Sequence, residues 1–351
     1  MENVPAIRVP NRIEGLDIAR FLALIGMVIV NFNVVMTVQV DGDIAQGFAS
    51  LLQGRAAALF VILAGIGLGI GAMRSEWGDM RRGTLKRALF LLIVGILNTI
   101  IFEADIIHYY AFYFLFGVWF LRASNKVIWL GIAGCIIGFF CLIFTLNFDQ
   151  GWNWSDYSYV DFWTPTGFLR NLFFNGWHPI FPWLAFLLFG IWLSRLDLRA
   201  KKLHIKLICF GGVSFIAITL LSHYLVAISG DTELTALLGT APIPATPFYL
   251  IAGASFAMVI IGACFLCESI LRKLKILPLF TCAGRQTLTL YIAHIYIGMG
   301  VLEGLGLMGG QSGILALLAS GAFCVIASVY AFVWTKYFKR GPLEMLMRKL
   351  T

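Results

Sequence analysis

Hydrophobic positions in this chain fall in long, nearly continuous runs, without the 3.6-residue or two-residue spacing of a half-buried element. The first run is LDIARFLALIGMVIVNFNVV at residues 16–35, long enough as an α-helix to cross a hydrocarbon core about 30 Å thick. Similar runs recur to the C-terminus and predict ten spans, at 16–38, 48–73, 86–103, 106–121, 127–148, 178–194, 203–227, 247–271, 279–302 and 313–336. Only a few residues around Glu103, Ala104 and Asp105 separate the third and fourth, which predicts a tight helical hairpin. No stretch reads as a soluble domain or a low-complexity linker. The expectation is one all-α domain over 1–351, a polytopic helical bundle in the cell inner or plasma membrane.

The polar stretches between runs orient the bundle. With the N-terminus inside, the inside segments carry Arg8, Arg12, 74–87, 122–126, 195–202, 272–275 and the basic C-terminus, while the outside segments are 41–43, 149–177 and 228–246. Of 26 Lys and Arg, Arg170 alone then falls outside. Both termini are therefore expected in the cytoplasm. The +8 net charge follows from this asymmetry and not from nucleic-acid binding. Charged residues are 13% of the chain, against roughly 25% in soluble domains. The seven cysteines lie in or at the inner edge of spans and form no disulfide framework. No His/Cys/Asp cluster has metal spacing, so no metal is expected. The glycines of AGIGLGIGAM (64–73) follow no strand, and read as close helix packing instead of a nucleotide loop.

Ionisable and amide side chains inside the runs need a reason, because hydrocarbon penalises them. Arg20 and Asn31 are eleven residues apart. Such a step returns a helix to within about 20° of the same face and separates the two by about 16 Å along the axis. Asp17 sits one turn before Arg20 and can pair with it. One reading is a snorkelling ion pair plus an asparagine bonded to a neighbouring helix. The other is a polar site inside the bundle. Arg55 lies near the outer end of the second span. Asp105 and His108 are one turn apart at the outer end of the fourth, where a carboxylate can orient an imidazole for general-base work or cap the helix. His178 opens the sixth span, again at the outer face. Arg285 lies in the inner half of the ninth, and His294, nine residues on, falls on the opposite helix face and reads as a packing histidine. The aromatic residues of 152–163 read as an interfacial belt or a stacking platform for a sugar ring.

These residues together resemble the transmembrane acyltransferase superfamily. Its first-helix signature is similar to the opening here: Leu16-Asp17, two residues, Arg20, ten residues, then a polar position. Many members carry His at that position. The Asn31 variant resembles the branch containing heparan-α-glucosaminide N-acetyltransferase and the bacterial YeiB-like membrane proteins. QGRAAALFVILAGIGLGI, DIIHYYAFYFLFG, AGRQTLTLYIAH and KRGPLEMLMRKLT follow the YeiB-like pattern in order, so the resemblance covers essentially the whole chain. It implies a ten- or eleven-helix bundle that takes an acyl group from cytoplasmic acyl-CoA, acetyl-CoA being the expected donor, and passes it to an acceptor on the far side. The acetyltransferase branch also uses a histidine about eleven residues after the asparagine. Here that region reads VDGD, which leaves the base open among His108, His178, Asp41 and Asp43.

The preferred expectation is an acyltransferase acting on an extracytoplasmic hydroxyl or amine, such as a glycan. Asn31 would donate to the developing oxyanion, with His108 as first and His178 as second candidate base. Arg20 and Arg285 would hold the anionic part of CoA, and Arg55, Asp41, Asp43 and Asp105 would shape the acceptor side. The expected partners are acyl-CoA, the acceptor and the lipid bilayer, with a homodimer as a further option. The alternative is a carrier or flippase for a polar or anionic molecule.

Overall fold

The computed structural model describes residues 12–37 and 43–351. Asp41, one of the candidate acids, lies outside the described residues. The described chain is helical, and its two strands are the two-residue pieces Trp152–Asn153 and Ser158–Tyr159, paired antiparallel. The helices are α1 (Glu14–Met36), α2 (Ile44–Leu52), α3 (Arg55–Ala72), α4 (Trp77–Thr99), α5 (Ile107–Gly117), α6 (Asn125–Thr145), α7 (Pro165–Arg170), α8 (Ile180–Leu193), α9 (Lys201–Ser229), α10 (Thr232–Leu238), α11 (Pro247–Lys273), α12 (Leu277–Gly284), α13 (Thr287–Ala293), α14 (Gly300–Gly304), α15 (Gly313–Tyr337) and α16 (Pro342–Leu350).

Six of these units are long and apolar enough to cross a membrane: α1, the α2–α3 run, α6, α9, α11 and α15. A bent pair, Pro165–Asn175 with Ile180–Leu193 at 51°, makes up to seven. Three other expected spans do coincide with helices of a different character. The first half of α4 carries Arg81, Arg82, Lys86 and Arg87. The helical run Ile107–Phe120 is short. The expected ninth span is broken into α12, α13, a π-helical turn at His294–Met299, and α14.

The break in that ninth segment falls at Arg285 and Gln286, the latter at φ −120° and ψ 24°. Gln286 Nε2 fastens the break to α15, donating to the Ala331 carbonyl at 2.9 Å and to Thr335 Oγ1 at 3.1 Å. From α16, Glu344 accepts from the Leu288 and Thr289 amides (2.8 and 3.1 Å) and from Thr289 Oγ1 (2.6 Å), capping α13 with a carboxylate. Irregular backbone at this depth is tolerated where protein surrounds it and satisfies it.

Glycines set the close crossings. A Cβ on Gly65 would lie 2.2 Å from the Leu187 carbonyl oxygen, and one on Gly190 2.1 Å from that of Ile62. The α3–α8 crossing therefore depends on bare backbone, the small-residue packing expected of AGIGLGIGAM. A Cβ on Gly284 would meet the Asp17 carbonyl at 1.9 Å, which is how closely α12 lies on α1. Helix α1 touches α3, α11, α12 and α15 and so runs through the interior. By contrast, 17% of the apolar stretch is buried in α6 and in α9, against 56% in α1 and 67% in α2–α3. Exposed Ile137, Phe144, Phe210 and Leu220 give these two helices a lipid-type surface.

The long 149–177 connection is folded. Trp152, Tyr159 and Phe162 form a small apolar cluster with Phe168 and Trp177 packed on it. Asn175, fully buried, donates to the carbonyls of Phe148 and Gln150 (2.6 and 2.9 Å) and accepts from the Tyr159 hydroxyl at 2.7 Å. Arg170 grips both oxygens of Asp161 at 2.6 and 2.7 Å and donates to the Tyr159 hydroxyl at 2.8 Å. The loop thus makes a structured cap over one end of the bundle.

Candidate functional site: two polar ends of helix α1

At the end of α1 away from that cap, Asp17 is 1% exposed and holds three guanidinium groups. Arg12 bonds through Nε at 2.5 Å and Nη2 at 2.9 Å, Arg20 through Nη1 at 2.8 Å, and Arg285 Nε stands at 3.9 Å. One carboxylate among three cations leaves an excess of two positive charges. Arg20 and Arg285 each keep 27% of the side chain exposed, and Arg285 Nε has no hydrogen-bond partner among the described residues. The two arginines singled out from sequence thus meet at one carboxylate, with Arg12 as an unforeseen third. Further cations crowd this end. Burial, followed by repulsion from Arg348, Arg12 and Arg87, holds the Arg340 pKa below that of a free guanidinium, with Glu344 countering in part. Such a concentration of guanidinium groups suits phosphate and carboxylate ligands.

At the capped end, Asn31 Nδ2 lies 3.0 Å from His294 Nε2. His294 is fully buried, and its Nδ1 is bonded to the Tyr291 carbonyl oxygen. A carbonyl only accepts, so Nδ1 carries the hydrogen. In the neutral imidazole Nε2 then accepts, and the Asn31 amide donates. An amide nitrogen has two hydrogens, so the bond to His294 uses one of them. Asn31 also lines a cavity of about 460 Å³, with Gly54, Glu103, Tyr157, Trp177 and His178 among its other walls. A narrow recess of about 60 Å³ continues from Asn31 and His178 down to Met27, Ala57 and Tyr291. Gly54, at φ +69°, is the elbow between α2 and α3. A Cβ there would lie 2.5 Å from Pro242 and 2.8 Å from the Tyr249 hydroxyl, so the wall needs glycine.

The other expected site residues divide. His178 lines both spaces, and its Nδ1 has no hydrogen-bond partner among the described residues. His108, the first-choice base by sequence, is 1% exposed and lines neither. Its Nδ1 meets Asp105 Oδ2 at 3.0 Å, and the same oxygen accepts its backbone amide at 2.9 Å. Asn98 Nδ2 holds the other Asp105 oxygen at 2.8 Å. Asp105 and His108 therefore do form the expected couple, but under a lid of Tyr109, whose ring centre is 3.9 Å away. Arg55 is 8% exposed and lines neither space. It ties the α2–α3 elbow to the Leu51 carbonyl (2.8 Å) and Thr240 Oγ1 (3.1 Å), with Phe215 beneath it. Asp43 caps α2 through the Ala45 amide at 2.8 Å and accepts the Gly313 amide at 3.1 Å, stapling α2 to α15. Its surroundings give it a structural duty in place of an acceptor contact. Among the described residues no group of three His, Cys, Asp or Glu could hold a metal ion.

His294 is the residue that sequence reasoning set aside. In a continuous α-helix, nine residues from Arg285 would aim it the opposite way, since nine steps of about 100° end half a turn round. Here both face α1, Arg285 toward Asp17 and His294 toward Asn31. The break at Arg285–Gln286 re-aims the second half of the segment. A π-helical turn, a form often found at functional sites, begins at His294 itself.

Comparison with known proteins gives the chemistry a context. Residues 12–229 match the family model described as heparan-alpha-glucosaminide N-acetyltransferase, catalytic. Residues 191–351 match the one described as protein of unknown function (DUF418). No curated protein matches the chain. Asp17, Arg20, Asn31 and His178 fall in the first matched segment, while Arg285 and His294 fall in the second. With its first model spanning more than half of the sequence, this chain belongs to the family of the heparan-alpha-glucosaminide N-acetyltransferase catalytic domain.

Proposed function

We propose that the protein is a membrane acetyltransferase that carries an acetyl group from cytoplasmic acetyl-CoA to a hydroxyl or amine acceptor on the opposite side. One observation carries the reading. A single helix presents an arginine cluster on Asp17 at one end, and a cavity-lining asparagine backed by a buried histidine at the other. Its ten-span topology has both termini in the cytoplasm and the 149–177 cap outside, as the distribution of basic residues favours.

In this mechanism Arg20 and Arg285 bind phosphate oxygens of CoA, with Arg12 close by. The thioester reaches Asn31 along the stripe that separates it from Arg20 by about 16 Å. That stripe is packed by Ala23, Leu24 and Met27, so the donor arm enters by displacing Met27 at the floor of the recess. The second Asn31 N–H donates to the carbonyl oxygen as it gains negative charge. The acceptor oxygen or nitrogen attacks the carbonyl carbon and gives its proton to His178. Collapse of the tetrahedral intermediate breaks the C–S bond, and the leaving thiolate takes the proton held by His178 to become CoA thiol, which restores the neutral base. His294 acts through Asn31 as a positioning residue, fixing the direction of its amide.

The donor half is tested by thermal unfolding of the purified protein with acetyl-CoA. Saturating acetyl-CoA is expected to raise the Tm, and Arg20→Gln or Arg285→Gln to remove most of that increase. Equal stabilisation of wild type and both variants would exclude these arginines from the donor site.

A further inference from the structure

The cavity at Asn31 does not end at the cap. It shares Val34, Gln53, Tyr157, Trp177, Pro242 and Ile243 with a second space of about 790 Å³. That larger space runs to the end of α6, where Ile143, Phe144 and Leu146 line it, and to Leu237 on α10. Phe144 is 73% exposed and Leu146 47%, on the helix that faces lipid along most of its length. A path lined largely by apolar side chains therefore leads from the bilayer surface to the candidate reaction centre. Pockets for whole small ligands span about 300–1,000 Å³, so the larger space alone could take a ligand in addition to whatever sits at Asn31.

The charge of the lining restricts the ligand. Asp149 lines the larger space, Glu103 and Asp156 the smaller, and among the described residues neither lining contains a lysine or arginine. Asp149 accepts from Trp154 Nε1 at 2.9 Å, Glu103 from the Tyr159 amide at 3.1 Å, and Asp156 from Ser158 Oγ at 2.7 Å. The hydrogen bonds from Ser158 hold the Asp156 carboxyl below its ordinary pKa, so it stays ionised. Three carboxylates without a cation repel an anionic head and accept hydrogen bonds from hydroxyl or ammonium groups. Trp177, which lines both spaces, adds a flat aromatic wall of the kind that sugar rings lie against.

We infer that the acceptor is an amphiphile taken laterally from the bilayer. Its apolar chain occupies the larger cavity, and its hydroxyl- or amine-bearing head, free of phosphate, stands at Asn31 and His178. The assignment rests on the transferase reading above and narrows it: the head supplies the O–H or N–H that is acylated, and its proton passes to His178.

The probe is dodecyl β-glucoside carrying a diazirine near the end of its chain, irradiated with the full-length protein in lipid nanodiscs and mapped by peptide mass spectrometry. Cross-links are expected within 143–148 and 236–244. Ala236, exposed on the wall of the larger space, offers the perturbation. Ala236→Trp should lower the cross-linking at least tenfold, and Ala236→Ser should retain it. Unlabelled dodecyl phosphate should compete at least tenfold less well than unlabelled dodecyl glucoside. Cross-links confined to the outer surfaces of α6 and α9, or equal competition by the phosphate, would overturn the inference. Radiolabelled acetyl-CoA separates the two claims. Acetyl transfer to methyl glucoside without cavity cross-linking by the long-chain probe would sink the inference and leave the transferase standing. Cavity cross-links with transfer to neither glucoside would overturn the transferase reading, and with it the assignment of this amphiphile as acceptor.

Discussion

Asp17→Asn isolates the electrostatic centre of the fold. The substitution keeps the shape of the side chain but turns one acceptor oxygen into an NH2 group among three guanidinium groups. Arg12 and Arg20 together make three hydrogen bonds to Asp17, at 2.5, 2.9 and 2.8 Å, and Arg285 stands at 3.9 Å. Breaking a buried ion pair by removing one partner costs about 3–5 kcal/mol. Arg12 is 53% exposed and can turn to water, which discounts its share. The expected loss is therefore about 3 kcal/mol, near the lower limit of that range. Unfolding in mixed micelles by SDS titration, followed by tryptophan fluorescence, reads this directly. The double variant Asp17→Asn/Arg285→Met makes the test specific. Removing one now-unpaired cation should return part of the lost stability, giving a coupling energy of about 1 kcal/mol or more between the sites. A loss under about 1 kcal/mol, or strict additivity in the double variant, would refute the view that Asp17 holds the cluster together.

Three other outcomes follow. His178→Ala should lower acetyl transfer by about 10²–10⁴-fold at unchanged acetyl-CoA affinity, whereas His108→Ala should act on stability, since Asp105 loses a partner in a closed pocket. Similar transfer rates in wild type and His178→Ala would remove His178 as the base. Tyr157→Cys, exposed in the cap, should react with a membrane-impermeant maleimide on intact cells. Labelling only after lysis would reverse the orientation.

Sequence made the membrane class legible because hydrocarbon imposes a length and a composition on anything that crosses it. It also marked Arg20 and Asn31, since one helix carries both and helical periodicity fixes their common face. What it hid depends on contacts between distant segments. The Asn31–His294 bond joins residues 263 apart. It also requires a break at Gln286 that no Pro announces, marked in sequence by nothing stronger than the Gly284-Arg285-Gln286-Thr287 stretch inside a long apolar run. Asp43 and Asp105 looked like chemistry because carboxylates near a span end suit either a cap or a site. Their amide partners, at Ala45 and His108, put both in capping positions. His108 and His178 share a type and a depth in sequence; the structure bonds His108 to Asp105 in a closed pocket and leaves His178 on the cavity wall.

The central claim is that Asn31 serves the transition state of acyl transfer and not the binding of a passenger. The direct measurement is single-turnover transfer from radiolabelled acetyl-CoA to dodecyl glucoside and glucosamine by Asn31→Ala in nanodiscs, alongside acetyl-CoA affinity in the same preparation. Loss of one preorganised oxyanion donor costs about 10²–10³-fold in rate, and a group that acts mainly in the transition state leaves ground-state binding nearly unchanged. The account predicts that combination. Full transfer activity in Asn31→Ala, or movement of an intact solute by the wild-type protein in vesicles lacking any acyl donor, would contradict it.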